Sequence, residues 1–278
     1  QNELVRYQPQ SNRDALRRLR VIVISDTHEA HNVLGTLPPC DILIHAGDIM
    51  LCSRRHTSWH NEKYVKSFGQ WFASQPAACR IIVPGNHDMP IEHMTVEQRA
   101  EVFPDTKLLL NEAIELFGLT IWGCPYSHGR SGNKAWQATE FHHQTIQQAH
   151  HMAGKVDVLI THGPCKDIVS IVQPRLMYIF GHIHEHHGCQ LVQIPKYPES
   201  EHTTTTIVQT AGPIMTRKYI PNHHPVVVDM VFGGQDRGED GEEFTRQMSI
   251  RRANTEEIGM QPVHTKSHLT LYNLCTIC

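Results

Sequence analysis

An α/β sheet core is the fold class this sequence predicts, and three observations carry the prediction. Five short runs rich in Val, Ile and Leu, each bounded by polar residues, Gly or Pro, have the length and continuous hydrophobicity of strands buried on both faces. Between two of them, aromatic and aliphatic residues recur at helical spacing. Further on, two apolar segments are separated by a single glycine, as in a hairpin. Strands that alternate with helices and also follow one another directly exclude all-α and all-β architectures.

The elements follow in chain order. Val21 to Ser25 and Asp41 to His45 are the first two strands, and His60 to Gln75, with Tyr64, Val65, Phe68, Trp71 and Phe72 in phase, is a helix leading to a third strand at Arg80 to Val83. A second helix is expected over Thr95 to Val102, closed by Pro104, and a third over Ala135 to Ala153, closed by Gly154. Leu108 to Leu110 reads as a strand, followed by a hairpin of Ile114 to Phe117 and Leu119 to Trp122 turning at Gly118. Val156 to Thr161 and Leu176 to Phe180 complete the apolar runs, and late strands are expected at Gln190 to Ile194, Thr206 to Thr210 and Val226 to Phe232. The domain is therefore placed at 20–232, after a basic lead-in at 1–19. Pro198 and the four threonines Thr203 to Thr206 mark 196–205 as a surface insertion. Beyond it 233–278, opening with Asp236, Glu239, Asp240, Glu242 and Glu243, is expected to be a polar, disordered tail.

Composition bounds the function. With 25 Lys and Arg against 28 Asp and Glu, the formal charge of -3 leaves no basic footprint for nucleic acid. No apolar run reaches the roughly 18–20 residues a membrane-spanning helix needs. Eight scattered cysteines without a paired framework suit reduced thiols, and with 22 histidines that would charge in acid they place the protein in a neutral, cytoplasmic setting. A weaker alternative is a prenyl anchor at Cys275, since Cys275-Thr276-Ile277-Cys278 has a C-a-a-X outline without a polybasic flank.

The chemistry lies at the strand ends. Each of the five apolar runs is followed by residues of metal-ligand type: Asp26 and His28, then Asp48, then Asn86 with His87 and Asp88, then His162, then His182 and His184. In an open α/β sheet, ligands bind outside the carboxyl ends of the strands, so these loops converge. Asp26 with His28, and His182 with His184, sit at i and i+2, on one face of an extended chain. The seven donors Asp26, His28, Asp48, Asn86, His162, His182 and His184 exceed one tetrahedral site, but two four-ligand sites sharing Asp48 use them all. Two ions about 3.5–4 Å apart would clamp the attacking and leaving oxygens of an in-line phosphoryl displacement, with a metal-bound hydroxide as nucleophile. Imidazole and oxygen donors without thiolate suit Mn, Fe, Zn or Co, with Mn favoured. His87, outside the ligand set, is suited to protonating the leaving oxygen; Asp88 either orients it or serves a capping or loop role.

Asp26-x-His28, Gly47-Asp48, Gly85-Asn86-His87-Asp88, Thr161-His162-Gly163-Pro164 and Gly181-His182-Ile183-His184, in this order, resemble the calcineurin-like metallophosphoesterase superfamily. The strings ISDTH, DILIHAGD, ITHGP and FGHIHE are similar to the metallophosphoesterase-domain proteins grouped with class III cyclic nucleotide phosphodiesterases. The resemblance implies two facing mixed β-sheets flanked by helices. It also implies Asp26, His28 and His184 on one metal, Asn86, His162 and His182 on the other, Asp48 bridging and His87 as catalytic acid. The expected reaction is phosphodiester hydrolysis of a small phosphoester, cyclic nucleotides among the candidates. Alternatives are a phosphomonoesterase or protein phosphatase on the same metals, and a non-catalytic scaffold of the same fold.

Other features weigh less. His45, on a buried run, reads as a core or supporting histidine. The pairs His142-His143, His150-His151, His186-His187 and His223-His224 are able to bind adventitious metal, but as solvated helix or loop residues they need no function; His186 and His187 stand apart because they follow the ligand loop. Pro125, Tyr126, His128, Arg130 and Lys134 are balanced between an exposed loop and substrate contacts, with Arg130 and Asn86 as candidate substrate binders. Cys165 is expected to be a small buried thiol.

Overall fold

The computed structural model describes residues 17–51, 58–128, 131–195, 204–216, 218, 220–232 and 246–252. Its elements are β1 (Arg17–Ile24), β2 (Cys40–His45), α1 (Ser58–Ser74), β3 (Ala77–Ile82), α2 (Met89–Glu92), α3 (Val96–Val102), β4 (Thr106–Leu108), β5 (Glu112–Leu116), β6 (Leu119–Cys124) and α4 (Thr139–Met152). They continue with β7 (Val158–Thr161), α5 (Lys166–Val172), β8 (Met177–Phe180), β9 (Gly188–Pro195), β10 (Thr204–Ala211), β11 (Val226–Phe232) and β12 (Arg246–Arg252).

The strands form two six-stranded mixed sheets, ordered β12-β11-β1-β2-β3-β4 and β5-β6-β7-β8-β10-β9. In each, a parallel centre carries antiparallel strands at its margins: β11 against β1 in the first sheet, β5 against β6 and β9 against β10 in the second. The apolar runs are continuous because both faces of the central strands are buried. Along β1, Val21 and Val23 face a core shared with Ile121, Ile160 and Ile179 of the opposite sheet, while Ile22 and Ile24 face Val65, Phe68 and Phe72 of α1. The outer face of the second sheet, Trp122, Leu159 and Phe180, packs on Ala149 of α4 and on Ile168, Val169 and Val172 of α5. The result is the helix-sheet-sheet-helix stack that the resemblance implied.

Local chemistry explains the boundaries. Thr95 and Gln98 form a reciprocal capping box that starts α3. Phe117 and Gly118, at φ 52° and 74°, make the two-residue turn between β5 and β6, where two successive positive φ values match the twist of the strands.

Several expectations are corrected. The strand placed at Leu108 to Leu110 is β4, two residues earlier, and the third helix starts at Thr139 rather than Ala135. Arg17, Arg18 and Leu19 belong to β1, not to a lead-in. Of the insertion expected at 196–205, residues 196–203 lie outside the described residues, and Thr204 and Thr205 open β10, where β-branched residues favour the extended backbone. The tail expected from 233 onward contains β12, which pairs antiparallel with β11 from Val226↔Arg252 to Phe232↔Arg246. Its Met248 and Ile250 alternate with polar neighbours, a period-2 signal outweighed by the charge of the preceding stretch. Residues 1–16, 233–245 and 253–278, with Cys275, lie outside the described residues. Among the described residues, no helix is long and apolar enough to cross a membrane.

Candidate metal centre

The carboxyl ends of β1, β2, β3, β7 and β8 meet where the two sheets join. Main-chain hydrogen bonds knit the loops there: Asp26 N–H to Gly47 O (2.8 Å), His28 N–H to Asp48 O (3.1 Å) and Gly181 N–H to His162 O (2.7 Å). A backbone bond from Ser25 N–H to Gly212 O (2.7 Å) links the first sheet to the second. Asp26, His28, Asp48 and His182 have φ of 50°, 41°, 58° and 68°, a left-handed conformation costing of order 1–3 kcal/mol at each non-glycine residue. Such strain persists only where surrounding structure fixes it, and here it turns four side chains toward one point.

Two glycines make room. A Cβ on Gly181 would sit 2.5 Å from Asp26 Oδ2, and one on Gly85 would sit 2.6 Å from His162 Cε1. Neither position accommodates a side chain while the donors stay in place.

The side chains form two groups around Asp48. Asp26, His28 and His184 come together on one side, with His28 Nε2 3.2 Å from His184 Nε2 and His184 Nε2 3.4 Å from Asp26 Oδ1. On the other side Asp48, His162 and His182 gather, and His162 Nε2 lies 3.2 Å from Asp48 Oδ1 and 3.0 Å from Asn86 Oδ1. His87 stands beside both, with Nε2 3.9 Å from Asp48 Oδ2 and its ring edge-on to His28 at 4.8 Å. The seven expected donors and His87 are thus brought together, and all are buried or half-buried.

Hydrogen-bond chemistry shows what these groups fit. His28, His87, His162 and His184 each turn Nδ1 to a main-chain carbonyl, of Met50 (2.9 Å), Leu51 (2.8 Å), Ala46 (2.9 Å) and Thr216 (2.8 Å). A carbonyl only accepts, so Nδ1 carries the proton and, in a neutral ring, Nε2 offers a lone pair. The Asn86 amide donates to Ser131 Oγ (3.0 Å) and Asn133 O (3.4 Å), which turns its oxygen inward. Lone pairs of His28 and His184 therefore face each other, and His162 faces two oxygens. Imidazole nitrogens and oxygens gathered this closely suit cations, and anchoring of the remote imidazole nitrogen is how metal-binding histidines are held.

The charges agree. Burial opposes ionisation of Asp48, but neighbouring His162 and His87 hold its carboxyl well below the usual range. Burial likewise disfavours charge on His162, yet Asp48 and Asp26 raise it to about 9, the proton standing where a cation fits. Burial pushes His28 and His182 down to about 4, leaving them neutral donors.

Supporting residues emerge as well. Asp88 does not orient His87: its oxygens accept N–H bonds from Gly85 (2.7 Å), Asp48 (3.0 Å) and Met50 (2.9 Å), clamping two ligand loops together. His45 is a buried prop, its Nε2 3.0 Å from Thr27 Oγ1 and its Nδ1 accepting from Gly47 N–H. Asn133 Nδ2 is 3.1 Å from both ring nitrogens of His87, which places it over the ring face. Nothing in the spacing around Ser131 and Asn133 pointed to them. Cys165 is a buried thiol against Gly163 O, raised by burial. Arg130 lies outside the described residues.

A model of the calcineurin-like phosphoesterase superfamily domain matches residues 19–209. UPF0046 protein C25E10.12 of Caenorhabditis elegans is 26% identical over 208 residues, 62% of this chain and 70% of that one. Human metallophosphoesterase domain-containing protein 1 is 26% identical over 253 residues, covering 76% of this chain and 71% of its own. The Bacillus subtilis calcineurin-like phosphoesterase YfkN aligns with TM-score 0.44 and 10% identity over 86% of this chain and 91% of that one. With the matched span holding every residue of the cluster and more than half of the sequence, the chain belongs to the calcineurin-like phosphoesterase superfamily, hydrolases of phosphate esters that depend on metal ions.

Proposed function

We propose that this chain is a binuclear-metal phosphodiesterase acting on small phosphodiesters, cyclic nucleotides among them. The observation that carries the reading is the convergence of imidazole nitrogens with carboxylate and amide oxygens on either side of Asp48. Asp26, His28 and His184 hold one ion, Asn86, His162 and His182 the other, and Asp48 serves both; nitrogen and oxygen donors without thiolate favour Mn, Fe, Zn or Co, Mn first. Two such ions supply Lewis acidity toward the phosphoryl oxygens and a nucleophile at neutral pH.

The remaining work falls to the chain. Asp48 fixes the register of the two groups, since Oδ1 accepts the His87 N–H (2.9 Å) while Oδ2 faces His28 at 3.9 Å. His87 donates Nδ1–H to Leu51 O, so only Nε2 is available to pass a proton to the leaving oxygen. Asn133 over its face limits rotation of the ring. Asp88, through three backbone N–H groups, keeps the Asp48 and Asn86 loops at a constant separation.

Turnover of bis- and mono-nitrophenyl phosphate with Mn²⁺, followed by direct assay of cyclic nucleotides, tests the substrate class. A monoester preference of tenfold or more overturns the diesterase reading in favour of a phosphomonoesterase. Asp48→Asn and His87→Ala assayed beside wild type test the site, and unchanged turnover in both means that the proposed site is wrong.

A further inference from the structure

A second cluster of metal-ligand type lies apart from the Asp48 groups. His128, on the connection from β6 to α4, places Nε2 3.2 Å from Asp167 Oδ1, and His142, on α4, places Nε2 3.2 Å from Asp167 Oδ2. All three donor atoms fall within 4.8 Å of one another, although their residues come from three separate segments. His142, read from sequence as a solvated helix residue, is instead aimed at a carboxylate. The arrangement is braced. The Tyr126 ring stacks on His142 at 4.4 Å and meets His128 edge-on at 5.1 Å, while Asp167 Oδ1 accepts the Ile168 N–H (2.9 Å).

We propose that His128, His142 and Asp167 form an additional metal site that takes one divalent cation of borderline softness, Zn²⁺ foremost. Charge-assisted N–H···O bonds are ordinarily about 2.7–2.9 Å. The 3.2 Å separations here are longer. They run to different oxygens of the one carboxylate, and the ligand atoms of the three residues lie within 4.8 Å of one another, close enough for one ion. Two imidazoles and one carboxylate suit Zn²⁺, Co²⁺ or Ni²⁺, whereas Mg²⁺ and Ca²⁺ prefer oxygen throughout. The Asp167 carboxyl, though burial opposes its charge, is held down to about 2 by His128 and the Ile168 N–H, so the anionic donor is ready at neutral pH. Partial exposure of all three side chains leaves a face open to water or to a further oxygen ligand.

The location suggests what the ion does. The connection from β6 to α4 also carries Ser131 and Asn133, which hold Asn86 and His87. Ser127, next to His128, packs where a Cβ on Gly163 would touch it at 2.5 Å. An ion on His128 and His142 would pin this connection to α4 and α5, and through Ser131 and Asn133 steady Asn86 and His87.

Zn²⁺ titration of the full metal-stripped chain by calorimetry, with bound metal counted after dialysis, tests the site. His142→Ala and His128→Ala are each expected to bind one ion fewer than wild type with unchanged circular dichroism, while Asp48→Asn keeps this ion and loses metal from the central groups. A wild-type count in both histidine variants overturns the proposal and reduces the cluster to a His–Asp–His hydrogen-bonded network. A wild-type count in Asp48→Asn bears on the binuclear reading alone, so the two failures are distinguishable.

Discussion

Gly181→Ala separates the metal-centre geometry from the chemistry of its ligands, because no donor is altered. The new Cβ would lie 2.5 Å from Asp26 Oδ2, 2.6 Å from Ser25 Oγ and 2.7 Å from Ser25 Cβ. To reach ordinary van der Waals contact at about 3.4 Å, the Asp26 carboxylate must retreat by about 0.9 Å. That carboxylate is held by the His182 N–H at 3.0 Å and by the Ser25 hydroxyl, so the retreat breaks or stretches both bonds. Metal–ligand distances tolerate about 0.2 Å, several times less than the shift demanded. Overpacking of this kind costs about 1–3 kcal/mol. In a chain of this size each kcal/mol lowers Tm by about 2–4 °C, giving an expected drop of about 2–12 °C. Displacing one ligand should weaken metal binding to the Asp26, His28 and His184 group by about 10–100-fold, as loss of a supporting partner does elsewhere. Differential scanning fluorimetry, calorimetric Mn²⁺ titration and bis-nitrophenyl phosphate turnover read the three effects. Metal affinity and turnover both within twofold of wild type would refute the close approach of Asp26 to Gly181 as a requirement of the site.

Three other outcomes follow from the same geometry. His87→Ala should lower turnover by about 10²–10⁴-fold while bound metal, counted by mass spectrometry, stays at the wild-type level; loss of an ion would make His87 a ligand instead of an acid. Asp88→Ala strips the partner from three buried N–H groups, each costing about 1–3 kcal/mol, so destabilisation of about 3 kcal/mol or more is expected; a melt within 2 °C of wild type, roughly 1 kcal/mol or less, would contradict the clamp. His162, raised to about 9 by Asp48, carries its proton at pH 7 in the metal-free chain, so its ion pair stabilises fully below the ordinary value of 6.5 and is lost as pH rises through about 9. Metal loading at pH 7 should accordingly expel about one proton per chain, and affinity should climb toward pH 9; calorimetry in two buffers of different ionisation enthalpy that shows no proton release would count against His162 as a ligand.

The parts legible in the sequence were those where local pattern and global fold agree. Val21 to Ser25 and Leu176 to Phe180 announce strands because their burial on both faces leaves no polar interruption, and the ligand residues follow at once because strand ends are where backbone direction changes. Other features depend on contacts between distant segments. Asp88 is one residue from a proposed acid, yet its partners Asp48 and Met50 lie 40 and 38 positions away, and no spacing rule reaches that far. Asn133 meets His87 across 46 positions for the same reason. Helix α5 went unread because its seven residues hold too few turns to show a period and, unlike α3 of the same length, it has no side-chain cap at its start. β12 was hidden by the acidic stretch before it, since charge density was weighed over a window wider than the strand.

Neither sheet owns a complete donor group. Asp26 and His28 from the first sheet need His184 from the second, and Asn86 from the first needs His162 and His182 from the second. Each ion would then act as a rivet through a seam, and whatever stabilisation it contributes is shared by both halves of the molecule. At a hundredfold excess over Kd, one ion bound only by the native state contributes about 2.7 kcal/mol. Stripping the metal should therefore loosen the coupling of the halves: β1 and β8 amides are expected to exchange hydrogen at one common rate in the loaded protein and to part into two rates in the chelated one.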